Sequence, residues 1–98
     1  MHINLGGKQV YLYTNNKDID ATKKTVLFIH GAGFDHSVWT LFARHFSRHN
    51  WNAIAIDLTG HGRSGGEALL SIEDNAAWII ALLDQLGLTK TALVGHSM

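Results

Sequence analysis

Three short apolar runs, residues 25–30 (TVLFIH), 51–57 (WNAIAID) and 91–95 (TALVG), leave this chain few folds to choose from. They are close to continuously apolar, so each reads as a strand covered on both faces, as in parallel sheets. Two stretches with helical spacing separate them. In the first, Ser37 is placed to cap a helix carrying Val38, Leu41, Phe42, His45 and Phe46, which Asn50 closes in a left-handed turn. In the second, Ser71-Ile72-Glu73-Asp74 has the form of a capping box. Ile72, Ala76, Ile79, Ile80, Leu83 and Leu86 then share a face, and Gly87 ends the helix. Upstream, strands over 1–5 and 9–13 are joined by Gly6-Gly7, which suits a tight hairpin, and residues 15–24 form a polar loop. The predicted fold is α/β: a β-hairpin, then β-α-β-α-β with parallel strands and right-handed crossovers.

Composition narrows the function. The 98 residues are 46% apolar and 16% charged, enough for one modest core, and no repeat or linker divides them. A formal net charge of zero lacks the basic surplus of a nucleic-acid binder. Without cysteine there are no disulfides or thiolate metal sites. No apolar run approaches the ~20 residues of a membrane helix, and the first seven residues lack the basic-then-apolar order of a signal peptide. A cytoplasmic protein acting on a small molecule is expected.

In such sheets ligands bind outside the carboxyl ends of the strands. His30, Asp57 and Ser97 each stand at that end of a strand, as three polar residues on one predicted active-site rim. Gly95-His96-Ser97-Met98 follows the last strand. A serine there, with glycine two positions earlier, fits a nucleophile lifted above the sheet by a sharp strand-to-helix turn. The G-x-S-x-G pattern is met up to its last glycine, which would be residue 99. His30-Gly31-Ala32-Gly33 follows the first long strand, and its glycines let backbone N–H groups turn toward an anion.

Two other readings fare worse. Gly60 to Gly65 is a literal G-x-G-x-x-G after a strand, the dinucleotide fingerprint. Its helix should start on the loop, whereas the first cap is Ser71, and the acidic residue some twenty positions on, Asp84, falls inside a helix. A structural loop shaped by Asp57, Gly60 and Gly62 is expected instead. Among seven histidines, His45 and His49 stand four apart but lack the Glu of H-E-x-x-H. His45 reads as half-buried and His49 as a helix C-terminal residue, so no metal is expected. His96, adjacent to Ser97, points away from it and is a poor candidate for its base. Trp39, Trp51 and Trp78 read as core or boundary aromatics.

His30-Gly31-Ala32-Gly33, Asp57-Leu58-Thr59-Gly60-His61-Gly62-Arg63-Ser64 and Gly95-His96-Ser97-Met98 together resemble the α/β-hydrolase superfamily, in its order and spacing, from Gln9 to Met98. The likeness is greatest to the serine esterase, lipase and acylglycerol-hydrolase branch. Ser97 disfavours the aspartate-nucleophile relatives, and Thr59 departs from a frequent proline. The resemblance implies that Ser97 is the nucleophile and forms an acyl-enzyme. It also implies that the backbone N–H groups of Ala32 and Met98 bind the oxyanion, and that His30 with Gly31 and Gly33 supports the oxyanion loop. No cofactor is implied. The family order of serine, acid, histidine places both triad partners after residue 98 and makes Asp57 and His61 structural. Residues 1–98 are then the N-terminal portion of a single domain whose remaining strands and cap lie elsewhere. A non-catalytic binding protein on the same scaffold is the alternative.

Overall fold

Gly6 and Gly7 both take positive φ, 57° and 83°, which a two-residue type I′ turn requires and side chains resist. The turn pairs β1 (His2–Leu5) antiparallel to β2 (Lys8–Tyr13), with Leu5 opposite Lys8. The computed structural model describes residues 1–88 and 90–95. Within them the sheet continues through β3 (Thr25–Ile29), β4 (Asn52–Ile56) and β5 (Thr91–Gly95), in the order β1-β2-β4-β3-β5. β3 pairs parallel to β4 and to β5, and β2 joins β4 antiparallel through Leu12 and Tyr13.

Every residue of β3 and β4 is buried, so their side chains alternate between two covered faces. On one face Leu27, Ile29, Ile54 and Ile56 pack with Leu12, Ile79 and Leu82. On the other, Val26, Phe28, Ala53 and Ala55 meet Ala43, with Trp39, Phe46 and Trp51 around them. The Phe28 ring lies 5.2 Å from Trp39 and 5.8 Å from Phe46. Small alanines on β4 opposite Ala43 let the helix sit close to the strand.

The helices occur where expected, but their phases differ from the sequence reading. A 3-10 turn, His36–Trp39, precedes α1 (Thr40–Ser47), and its cap is Asp35, whose side chain accepts the Ser37 N–H at 2.8 Å. Ser37 is thus inside the turn and is not the cap. Three residues per turn here, against 3.6 in the helix proper, shift the count made from Val38. Ala43 and Ser47 face the sheet, whereas Val38, Leu41 and Phe42 are exposed, and so is His45, which the sequence reading half-buried. Asn50 does adopt the left-handed conformation, at φ 65°. In α2 (Ile72–Leu86) Ser71 caps as predicted by accepting the Asp74 N–H at 3.0 Å, and Gly87 closes the helix at φ 71°. The buried stripe is Asn75, Ile79 and Leu82, flanked by Trp78, Leu83 and Leu86, while Ile72, Ala76 and Ile80 are exposed. A polar residue holds a core-facing place here because the Asn75 amide donates to the Ser71 and Leu69 carbonyls. Among the described residues no helix is long and apolar enough to cross a membrane.

Candidate active site

The chain leaves β3 through a β-turn. Phe34 N–H donates to Gly31 O at 3.1 Å, and Gly33 stands at φ 83° in the third position, where a type II turn needs glycine. His30, fully buried, anchors the turn from beneath. Leu58 N–H can only donate, so His30 Nε2, 3.0 Å away, accepts; Nδ1 then carries the proton and donates to Gly31 O at 2.7 Å. Burial holds this imidazole below its ordinary value, against the opposing pull of the Gly31 carbonyl. His30 is therefore a neutral brace whose tautomer is set by its two bonds. It is not a base facing substrate.

Asp57 closes β4 in a similar way. Its buried carboxylate accepts from His36 N (2.6 Å) and Arg63 N (2.9 Å), and His36 Nδ1 lies 2.9 Å from Oδ1. Gly62, at φ 52°, has no room for a side chain because a Cβ would run into that carboxylate, and a Cβ on Gly60 would strike the backbone at Ala68. Ser64 Oγ donates to Asp57 O at 2.6 Å and accepts Tyr11 N–H at 3.0 Å. The G-x-G-x-x-G stretch is thus folded against its own aspartate and β2, and α2 starts only at Ile72. A pyrophosphate would find no helix N-terminus on this loop.

His30 and Asp57 consequently do not line a rim, as the sequence reading expected; both are internal struts with no exposed surface. The group the sequence reading undervalued is His61. Gly33 N–H donates to His61 Nε2 at 3.1 Å, and His61 Nδ1 lies 3.1 Å from Thr59 O, so this ring ties the loop after β3 to the loop after β4. A histidine between two glycines was the visible signal, but nothing local disclosed a partner 28 residues away. Ala32, at the tip of the first loop, is exposed, and among the described residues its N–H has no hydrogen-bond partner.

The β3–β5 register sets Ile29 beside Gly95. Two adjacent parallel strands therefore end level at one end of the sheet, β5 at Gly95 and β3 two residues before the turn that carries Ala32. His96, Ser97 and Met98 lie outside the described residues. Elsewhere, His49 Nδ1 donates to His45 O at 2.7 Å, as a helix C-terminal histidine does. Asp35, His36 and Asp57 bring potential ligand atoms within 4.8 Å of one another. One Asp35 oxygen, both Asp57 oxygens and His36 Nδ1 are already engaged, with Asp35 accepting from Ser37 and Asp57 from His36 and Arg63.

Among known proteins, residues 26–98 match the family model described as the alpha/beta hydrolase family. The chain is 37% identical over 76 residues to the dihydrolipoyllysine-residue acetyltransferase component of an acetoin cleaving system from Cupriavidus necator, covering 76% of this chain and 20% of that protein. It is 39% identical over 72 residues to lipase LipV of Mycobacterium tuberculosis, covering 74% and 27%. In fold it resembles epoxide hydrolase A from Mycobacterium thermoresistibile, with a TM-score of 0.81 and 21% identity over 99% of this chain and 30% of that one. The chain spans about a third or less of the length of the curated relatives it matches.

Proposed function

The chain belongs to the alpha/beta hydrolase family, and on that premise we propose that it carries the nucleophile and oxyanion donors of a serine hydrolase acting on carboxylic esters or related acyl substrates. Ser97 Oγ adds to the carbonyl carbon while its proton passes to a histidine base supplied after residue 98. The carbonyl oxygen becomes an oxyanion and is held by the backbone N–H groups of Ala32 and Met98. Collapse of the tetrahedral intermediate expels the alcohol, which takes the proton back from the base, and leaves an acyl group on Ser97. Water, deprotonated by the same histidine, then releases the acid.

The observation that supports this most is the level ending of β3 and β5, Ile29 beside Gly95. It brings the strand that precedes Ser97 in sequence level with the strand that leads to the exposed, uncommitted Ala32 N–H. Preorganised donors of this kind stabilise charge only as it develops, and so act on kcat. In the whole protein Ser97→Ala is expected to lower ester turnover by about 10³-fold or more and to abolish labelling by a fluorophosphonate probe. An alanine variant that kept most of its turnover would remove Ser97 from the chemistry. Ala32→Pro, which deletes the donor, is expected to lower kcat by roughly 10²–10³-fold with the fold intact.

A further inference from the structure

His61 has no part in the reaction just proposed, yet its ring occupies the junction between the two loops. The Thr59 carbonyl only accepts, so His61 Nδ1, 3.1 Å away, carries the proton. Nε2 is left with a lone pair, and the Gly33 N–H donates to it at 3.1 Å. The Gly33 amide is thereby committed, while that of Ala32 is not. Gly33 N–H also belongs to the central peptide of the turn, the plane whose rotation interconverts type I and type II turns. The preceding peptide is held by its oxygen, through His30 Nδ1 to Gly31 O at 2.7 Å. Each peptide plane flanking the Ala32 Cα is therefore pinned by one imidazole, and the two rings stand 5.0 Å apart.

We propose that His61 is a positioning residue for the oxyanion loop, fixing the Ala32–Gly33 peptide through Nε2 so that the Ala32 N–H keeps its aim; this rests on the assignment of Ala32 as an oxyanion donor. Errors in donor placement cost rate more than binding, because the interaction matures only in the transition state.

The test compares two amide replacements in the whole protein. His61→Asn keeps a donor near the Nδ1 position for Thr59 O but has nothing to accept from Gly33. His61→Gln carries an amide oxygen out to the Nε2 position. With p-nitrophenyl acetate, His61→Asn is expected to lower kcat about 10-fold, less than loss of the donor itself, with KM within about two-fold. It should weaken a trifluoromethyl ketone, which mimics the tetrahedral oxyanion, by the same factor as kcat, and His61→Gln should restore most of both. Unchanged kcat in His61→Asn, in a protein that Ser97→Ala inactivates, overturns the proposal and leaves the serine mechanism standing. A loss that glutamine does not restore overturns it too. Should Ala32→Pro leave kcat unchanged, the underlying oxyanion assignment is what fails. Where an asparagine variant does not fold, long-range proton–nitrogen spectra of the wild-type protein decide: the Nδ1–H tautomer of His61 supports the latch, and the Nε2–H tautomer overturns it.

Discussion

The loops after β3 and β4 and the outer side of β5 lie along the same sheet, yet they are held by different means. The loops are bound by polar struts, buried His30, Asp57 and Ser64 and half-buried His61, each making at least two hydrogen bonds, mostly to backbone. β5 is bound on one side only, by β3, and ends the described sheet with Leu93 56% exposed. The contrast shows how the candidate site divides. The loop proposed to hold the oxyanion is self-supporting within the described residues. The strand that precedes the proposed nucleophile has a second edge and much of its surface uncovered among them.

Asp57→Ala is the most severe way to break that picture. It strips the buried acceptor from three partly buried N–H donors, those of His36 N, His36 Nδ1 and Arg63 N. The expected loss is on the order of 3–5 kcal/mol, read from denaturant midpoints in the whole protein; a loss under about 1 kcal/mol would mean that the strut is dispensable. Acid offers a graded version. The unfolded chain protonates histidine near the ordinary value of 6.5, whereas burial holds His30 lower in the folded state. As pH falls below 6.5 the unfolded state binds the extra proton first, so stability declines until the folded value is reached; above 6.5 this group adds no slope. Urea midpoints followed across that range, with His30→Asn flattening the decline, would check the sign.

Ser71→Ala tests a helix end remote from both regions and is expected to cost about 1 kcal/mol through the lost bond to Asp74 N. The smallest effect on stability belongs to β5. Residues 1–98 expressed alone are expected to self-associate through this edge and to lack esterase turnover. Leu93→Lys should reduce the association seen by ultracentrifugation while changing stability by no more than about 0.5 kcal/mol. A monomeric wild-type chain with Ser97-dependent turnover would erase the contrast.

Much of this could be read in advance because it is local. Unbroken apolar runs announced β3, β4 and β5, and Gly6-Gly7, Asn50, Ser71 and Gly87 marked turns and ends through their own backbone preferences. The helix faces depart from simple periodicity where one residue changes the geometry of its neighbours. Asp35 drew the chain into a 3-10 turn, and Asn75 took a buried place by bonding carbonyls of the preceding segment. At the site, the glycines and Asp57 were recognisable as loop-forming. The bond from Gly33 to His61 was not, since it exists only once two separate crossovers have brought their loops together.

The hairpin has a consequence in time. Two strands joined by a tight turn are marginal by themselves in water, and the groups that fasten this pair are encoded far downstream. Tyr11 N–H waits for Ser64, 53 residues later, and the Asn4 carbonyl for the side chain of Gln85, 81 residues later. At translation rates of about 5–20 residues per second, the first of these partners follows its mate by roughly 3–10 s. The hairpin therefore leaves the ribosome well before the groups that secure it. During that interval Val10 and Leu12, buried in the finished protein, are open to any chaperone or neighbouring chain that reaches them first.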